Sequence, residues 1–196
     1  MTKTLYLMRH GQTLFNQMHK IQGVCDSPLT DLGINQAKLA RAYFNDRQIK
    51  LTAAFCSTSE RASDTLEIVT NNSLPYTRLK GLKEWNFGRF EGQDESLNPP
   101  LPYEDFFKTF GGEGQNEVGL RMEATILDLM ATAAGENVLL VSHGAACACF
   151  YRQVTGQSRL PVKGIKNCSI FKYEYKNGKM TYQDLWQPDF SQLDNK

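Results

Sequence analysis

Long apolar runs are absent from this 196-residue sequence, and none approaches the ~18 residues that a membrane-spanning helix requires. The first residues lack the basic stretch, apolar core and small-residue cleavage site of a secretory leader, so the cytoplasm is the expected location and no membrane is an expected partner. Excess charge is missing as well. Lysine and arginine total 22 against 21 acids, a formal net charge of +1, which removes any general argument for nucleic acid as a partner. An anion would have to be held by a local cluster of arginine and histidine. Cysteines are few and odd in number: Cys25, Cys56, Cys147, Cys149 and Cys168, with no C-x-x-C pair. That argues against a disulfide framework and makes all five expected reduced packing residues. No repeat, low-complexity tract or linker divides the chain, so a single domain over residues 1–196 is expected.

What is present is an alternation of strand-like and helix-like segments. Thr4–Met8 is a short apolar strand, and Thr30 caps a helical pattern carrying Leu32, Ala37, Leu39, Ala40, Tyr43 and Phe44. Leu51–Cys56 reads as a second buried strand, followed by a helix from about Ser59 to Thr70 and a third strand from Tyr76 to Leu82. Helical spacing resumes from Glu117 to Ala134. Asn137–Ser142 is a continuous apolar run, as in a strand covered on both faces, and a helix to about Thr155 follows. Segments Asn167–Tyr175 and Met180–Trp186 flank Asn177-Gly178, a hairpin signal and a sheet edge open to pairing, with monomer and homodimer both left open. This order predicts an α/β fold: a three-layer α/β/α sandwich with a mostly parallel central sheet. Between about residues 86 and 116 the periodicity fails around Pro99, Pro100, Pro102 and Gly111-Gly112, which marks an irregular insert of the kind used as a lid.

Ligands of such sheets bind beyond the carboxyl ends of the strands. Two of the three histidines fall there: the first strand runs into Arg9-His10-Gly11 and the fourth into His143-Gly144. A third strand end leads through Ser57 into a helix whose first turn holds Arg61, where a cation opposes the helix dipole unless an anion is near. Two arginines and two histidines converging there make a phosphate-sized pocket, since the guanidinium fork matches phosphate oxygens.

Five ordered blocks then make the pattern specific. They are Leu7–Thr13 with Asn16, the stretch Gln22–Ala37, Ser57–Thr65, Glu84–Gly92, and Val141–Gly144. Together they resemble the histidine phosphatase superfamily, phosphoglycerate-mutase-like, on its phosphatase branch. The resemblance implies that His10 is the nucleophile that becomes a phospho-histidine, and that Glu84 protonates the leaving group and then activates water. Arg9, Arg61 and His143 would clamp the phosphoryl oxygens, with further phosphate contacts from Asn16, Gln22, Gly23 and Gly144. The two arginines and His143 would replace a metal clamp, so neither metal nor cofactor is expected. The chemistry adds that His10 must be neutral, with Nδ1 donating to a fixed acceptor, and that Glu84 needs a raised pKa.

Other residues stay open. Glu91 and Glu113 share the region of Glu84, and Glu91 is the next candidate for the acid. His19 reads as a surface loop residue. Arg121 either anchors the Gly111–Glu113 loop or is a solvated helix charge, and Phe106, Phe107 and Phe110 either line a substrate pocket or pack the insert. The expected reaction is hydrolysis of a small phosphorylated metabolite. The alternatives are a cofactor-dependent phosphoglycerate mutase and a catalytically inactive phospho-ligand binder. The insert carries two cations, Arg89 and Lys108, against six acids, a balance of −4 that suits a second phosphate poorly and favours the hydrolase. The same acidic, aromatic insert suggests a leaving group that is neutral or partly apolar, such as a sugar or nucleoside.

Overall fold

The computed structural model describes residues 2–191 and 193. Its centre is a six-stranded sheet in the order β3-β2-β4-β1-β5-β6. Strands β1 (Thr2–Arg9), β2 (Ala53–Ser57), β3 (Tyr76–Leu79) and β4 (Asn137–Ser142) run parallel, while β5 (Ile170–Lys176) and β6 (Lys179–Trp186) join antiparallel. Two residues, Asn177 and Gly178, close the β5–β6 hairpin at φ of 52° and 76°. Positive φ at both central positions is what such a tight turn demands, and it explains the Asn-Gly pair.

The alternation of each central strand builds the layers. Leu5 and Leu7 of β1 and Val138 and Leu140 of β4 pack on one face against α4 (Gln115–Thr132) and α5 (Gly144–Thr155). Tyr6, Met8, Leu139 and Val141 pack on the other face against α2 (Asp31–Asp46) and α3 (Glu60–Thr70). Both faces are buried, so these strands read as unbroken apolar runs, and each fully buried Leu or Val contributes about 1.5–3 kcal/mol. A four-residue helix, α1 (Leu14–Gln17), escaped the sequence reading because Thr13 and Asn16 hold it through a capping box, with no apolar period. Among the described residues no helix is long and apolar enough to cross a membrane.

Boundaries shift where side chains intervene. The third strand stops at Leu79, three residues early, because a 3-10 turn over Lys80–Leu82 sends the chain toward α4. Helix α4 starts at Gln115, earlier than its apolar period, because the Glu117 carboxylate accepts the Gly114 N–H at 2.8 Å. Between Asn86 and Gly114 the chain forms only 3-10 turns. The four cysteines beside the cores, Cys56, Cys147, Cys149 and Cys168, are buried and all five are free.

Candidate active site

The pairing of β1 with β4 sets Arg9 opposite Ser142, so His10 and His143 leave the sheet side by side. Their rings lie 5.2 Å apart, and both are buried. His10 Nδ1 sits 2.7 Å from the Gly11 carbonyl. A carbonyl only accepts, so Nδ1 carries the proton and Nε2 keeps its lone pair. Burial and the positive charges of Arg61 and Arg9 hold the His10 pKa well below its ordinary value. The ring is therefore neutral and nucleophilic near neutral pH. His143 is the opposite tautomer. Its Nδ1 accepts from Arg61 Nε at 3.2 Å, which leaves a buried Nε2–H without a protein partner.

Arg61 is fully buried, and its fork is largely committed inside the protein. It bonds the Gly23 and Cys25 carbonyls at 2.8 and 2.9 Å and pairs with Asp26 at 2.8 Å. The resemblance implies that Arg61 helps to clamp the phosphoryl oxygens; the structure leaves it one Nη2 donor for that and sets its Nε on His143. Asp26 was missed as a functional residue. One of its oxygens pairs with Arg61 and the other caps α3 by accepting the Glu60 N–H at 2.6 Å, a role that Ser59 at the cap position does not fill. No local signal links residues 26 and 61. Arg9 anchors Nη1 on the Ile165 carbonyl, while its Nε is buried without a protein partner. A Cβ on Gly144 would lie 3.3 Å from that Nε, so the glycine lets helix α5 start against the guanidinium.

The weaker phosphate candidates divide. Asn16 lines the cavity, and its Oδ1 accepts from Thr13 N and Asn167 Nδ2, leaving its amide donors available. Gln22 also lines the cavity, but its side chain is bonded to Thr13 and Ser27. Gly23, like Arg61 and His143, is off the cavity wall; its N–H goes to Glu91 at 3.0 Å and its carbonyl to Arg61, so in this structure it supports the arginine. His19 is an exposed loop residue 3.6 Å from Glu95.

Three glutamates of one irregular region have three different jobs. Glu84 is buried on the cavity wall, and its carboxylate accepts N–H groups from Trp85, Ala145 and Ala146 at 2.9, 3.0 and 2.7 Å, two of them from the first turn of α5. Burial raises its pKa, outweighing those bonds and the charge of Arg61, which pull it down. Glu91, the substitute acid, instead gathers the N–H groups of Gly23, Val24, Cys25 and Phe87 and staples two loops together. Glu113 makes a two-pronged pair with Arg121, at 2.9 Å on each side. Arg121 is thus an anchor and not a solvated charge.

The cavity over these groups measures about 330 Å³. Beyond Arg9, His10 and Glu84 it is walled by Ile21, Trp85, Phe87, Leu101 and Tyr103, with Lys20, Glu95 and Arg152 as charged members. Phe106, Phe107 and Phe110 are not on this wall. They pack with Phe90, and Phe107 is edge-on to Trp85 and Phe87, so they serve the insert's core.

Comparison with known proteins points the same way. A family model described as histidine phosphatase superfamily (branch 1) matches residues 5–187. The chain is 34% identical over 189 residues to a probable phosphoglycerate mutase GpmB of Yersinia pestis (strain Pestoides F), covering 88% of this chain and 85% of that protein. It superposes on a phosphoglycerate mutase structure from Bacillus anthracis with a TM-score of 0.82 at 28% identity, covering 93% and 92% of the two chains. A phosphoserine phosphatase from Entamoeba histolytica in complex with 3-phosphoglyceric acid shares the fold, with a TM-score of 0.80, 24% identity and coverage of 95% and 98%.

Proposed function

This chain belongs to the histidine phosphatase superfamily, and from that premise we propose that it is a phosphatase that hydrolyses a small phosphomonoester without a metal through a phospho-histidine on His10. The observation that carries the reading is the pairing of tautomers. His10 has a free Nε2 lone pair at the cavity, and beside it His143 Nε2–H and Arg9 Nε–H are buried donors without a protein acceptor. Buried donors left unpaired cost about 1–3 kcal/mol each, and a phosphoryl oxygen would satisfy them.

In the first step the His10 Nε2 lone pair forms a bond to phosphorus as the bond to the ester oxygen breaks. Glu84, whose neutral form burial favours, gives a proton to that oxygen. In the second step the Glu84 carboxylate takes a proton from water. The resulting hydroxide attacks phosphorus, the P–N bond breaks, and inorganic phosphate leaves with His10 neutral again. His143, Arg9 and Asn16 hold the equatorial oxygens, and Arg61 acts chiefly through His143.

The insert supports hydrolysis, for a reason different from its total charge. Of its six acids only Glu95 lines the cavity, so the −4 balance does not describe the site. The insert brings no cation to the wall, however: Lys108 pairs with Glu117 at 2.9 Å and Arg89 lies elsewhere. A second reading, a phosphoglycerate mutase, is favoured by Lys20 and Arg152, which line the cavity from outside the insert, and by the naming of the Yersinia relative.

The test is phosphate release from a panel of phosphomonoesters in EDTA, with His10→Ala beside wild type. Release that survives EDTA and falls at least ~10³-fold in the variant is expected. No release, with isomerisation of 3-phosphoglycerate in the presence of bisphosphoglycerate, would select the mutase. Tight phosphate binding with no turnover of either kind would mark an inactive binder.

A further inference from the structure

All five N–H donors of Arg121 are spent around the backbone of the acid. Nε and Nη2 bond the two oxygens of Glu113 at 2.9 Å each. Nη1 bonds the carbonyls of Gly81 and Lys83 at 3.0 and 2.9 Å, and Nη2 reaches the carbonyl of Glu84 itself at 3.2 Å. Glu113 completes the grip from the other side. Its Oε2 accepts the Asn86 N–H at 2.9 Å and its carbonyl accepts Trp85 Nε1–H at 2.7 Å, while its own N–H goes to the Asn86 carbonyl at 2.9 Å. The peptides on both sides of Glu84 are therefore fixed by one ion pair, and the carboxylate is held by the start of α5 and by the Trp85 N–H of that same backbone.

We infer that Arg121 and Glu113 are positioning residues for the general acid, coupling both ends of the insert to the geometry of Glu84. The inference rests on the acid role given to Glu84 above. Neither residue touches the cavity, so their effect passes through the backbone of residues 83–86. Arg121 cannot be replaced by lysine here, since an ammonium offers three donors where five acceptor contacts are met by a planar fork. A loosened acid lets water in and loses its alignment, and a misplacement on the order of 1 Å costs about 100-fold in a positioned reaction.

The experiment uses Arg121→Lys and Glu113→Gln in the full chain, with thermal melts to confirm folding. Turnover of an alkyl phosphate, whose leaving group needs a proton, should fall roughly 10–100-fold, while p-nitrophenyl phosphate should change less than about 3-fold. Inhibition by inorganic phosphate should be unchanged, because the histidine cradle is untouched. The alkaline limb of the alkyl phosphate profile should move to lower pH as Glu84 becomes better solvated. Parallel losses on both esters, a weakened phosphate inhibition, or no change at all would overturn the inference. Carboxyl-carbon NMR titration of Glu84, assigned with Glu84→Gln, gives a readout that needs no turnover. A wild type that hydrolyses nothing would defeat the hydrolase reading alone; the positioning role would fall only if the Glu84 titration were the same in wild type and Arg121→Lys. Where Arg121→Lys fails to fold, Glu113→Gln carries the same measurements.

Discussion

The two sides of the site are built by different means. On the histidine side, His10, His143 and Arg61 are at most 4% exposed, and each is set by a strand end or the first turn of a helix. Strand register decides which rings meet, and buried hydrogen bonds decide which nitrogen carries the proton. On the insert side, between Asn86 and Gly114, there is neither strand nor α-helix, and the shape comes from aromatic edges around Phe107 and from glutamates stapling the loops. A site can thus hold its chemistry on backbone geometry that tolerates little change while its specificity wall rests on side-chain packing. Glu84 sits at the seam, with its carboxylate on α5 and its backbone on the insert.

The largest effect expected from breaking this division is at the seam. Glu84→Gln should lose about 10²–10⁴-fold on alkyl phosphates and much less on p-nitrophenyl phosphate, measured as steady-state kcat with the fold confirmed by a melt. Equal losses on both esters would move the acid elsewhere. Within the insert, Phe107→Ala removes a fully buried ring that meets Trp85, Phe87, Phe90, Tyr103 and Phe106, and should cost about 3–5 kcal/mol by chemical denaturation. Phosphate inhibition should persist in that variant at temperatures where it stays folded; loss of phosphate affinity in the folded variant would show that the two sides are not separable.

The smallest effect is on the pH dependence of stability. The folded pKa values of His10 and His143 lie well below the ordinary 6.5, so their contribution is present above about pH 6.5 and is lost as pH falls. Glu84 acts in the opposite sense: its folded pKa is raised above 4.5, so its contribution is full at low pH and is lost as pH rises through the folded value. The two histidines make stability fall on acidification and Glu84 opposes that fall, so the loss should be steeper in Glu84→Gln than in wild type. Denaturation midpoints between pH 7 and 5 would measure both slopes, and a Glu84→Gln slope no steeper than wild type would remove Glu84 from the balance.

Much of the frame was legible because it depends on neighbours in the chain. The apolar run Asn137–Ser142, the Asn177-Gly178 turn and the Thr30 cap each report local geometry, and each appears at or near its expected bounds. The two histidine-glycine steps after strands could be read as a site for the same reason, since parallel strands bring their carboxyl ends to one edge. The choice among Glu84, Glu91 and Glu113 rested on resemblance alone, and counting the insert's charge misjudged which acids reach the cavity. Those outcomes depend on partners 8 to 68 positions away: Arg121 on Glu113 and Glu84, the loop at residues 23–25 on Glu91, and the start of α5 on Glu84.

The sequence by itself therefore determined the layered α/β fold and the strand ends at which two histidines and two arginines gather. Only the tertiary structure decided that Arg61 orients His143 more than it offers itself to a ligand, that Gly23 supports an arginine, and that Phe106, Phe107 and Phe110 pack the insert. The physical reason is that periodicity and turn chemistry act over a few residues. A hydrogen bond between distant segments instead depends on where the folded backbone brings its donor and acceptor, and that position is written in no single stretch of the chain.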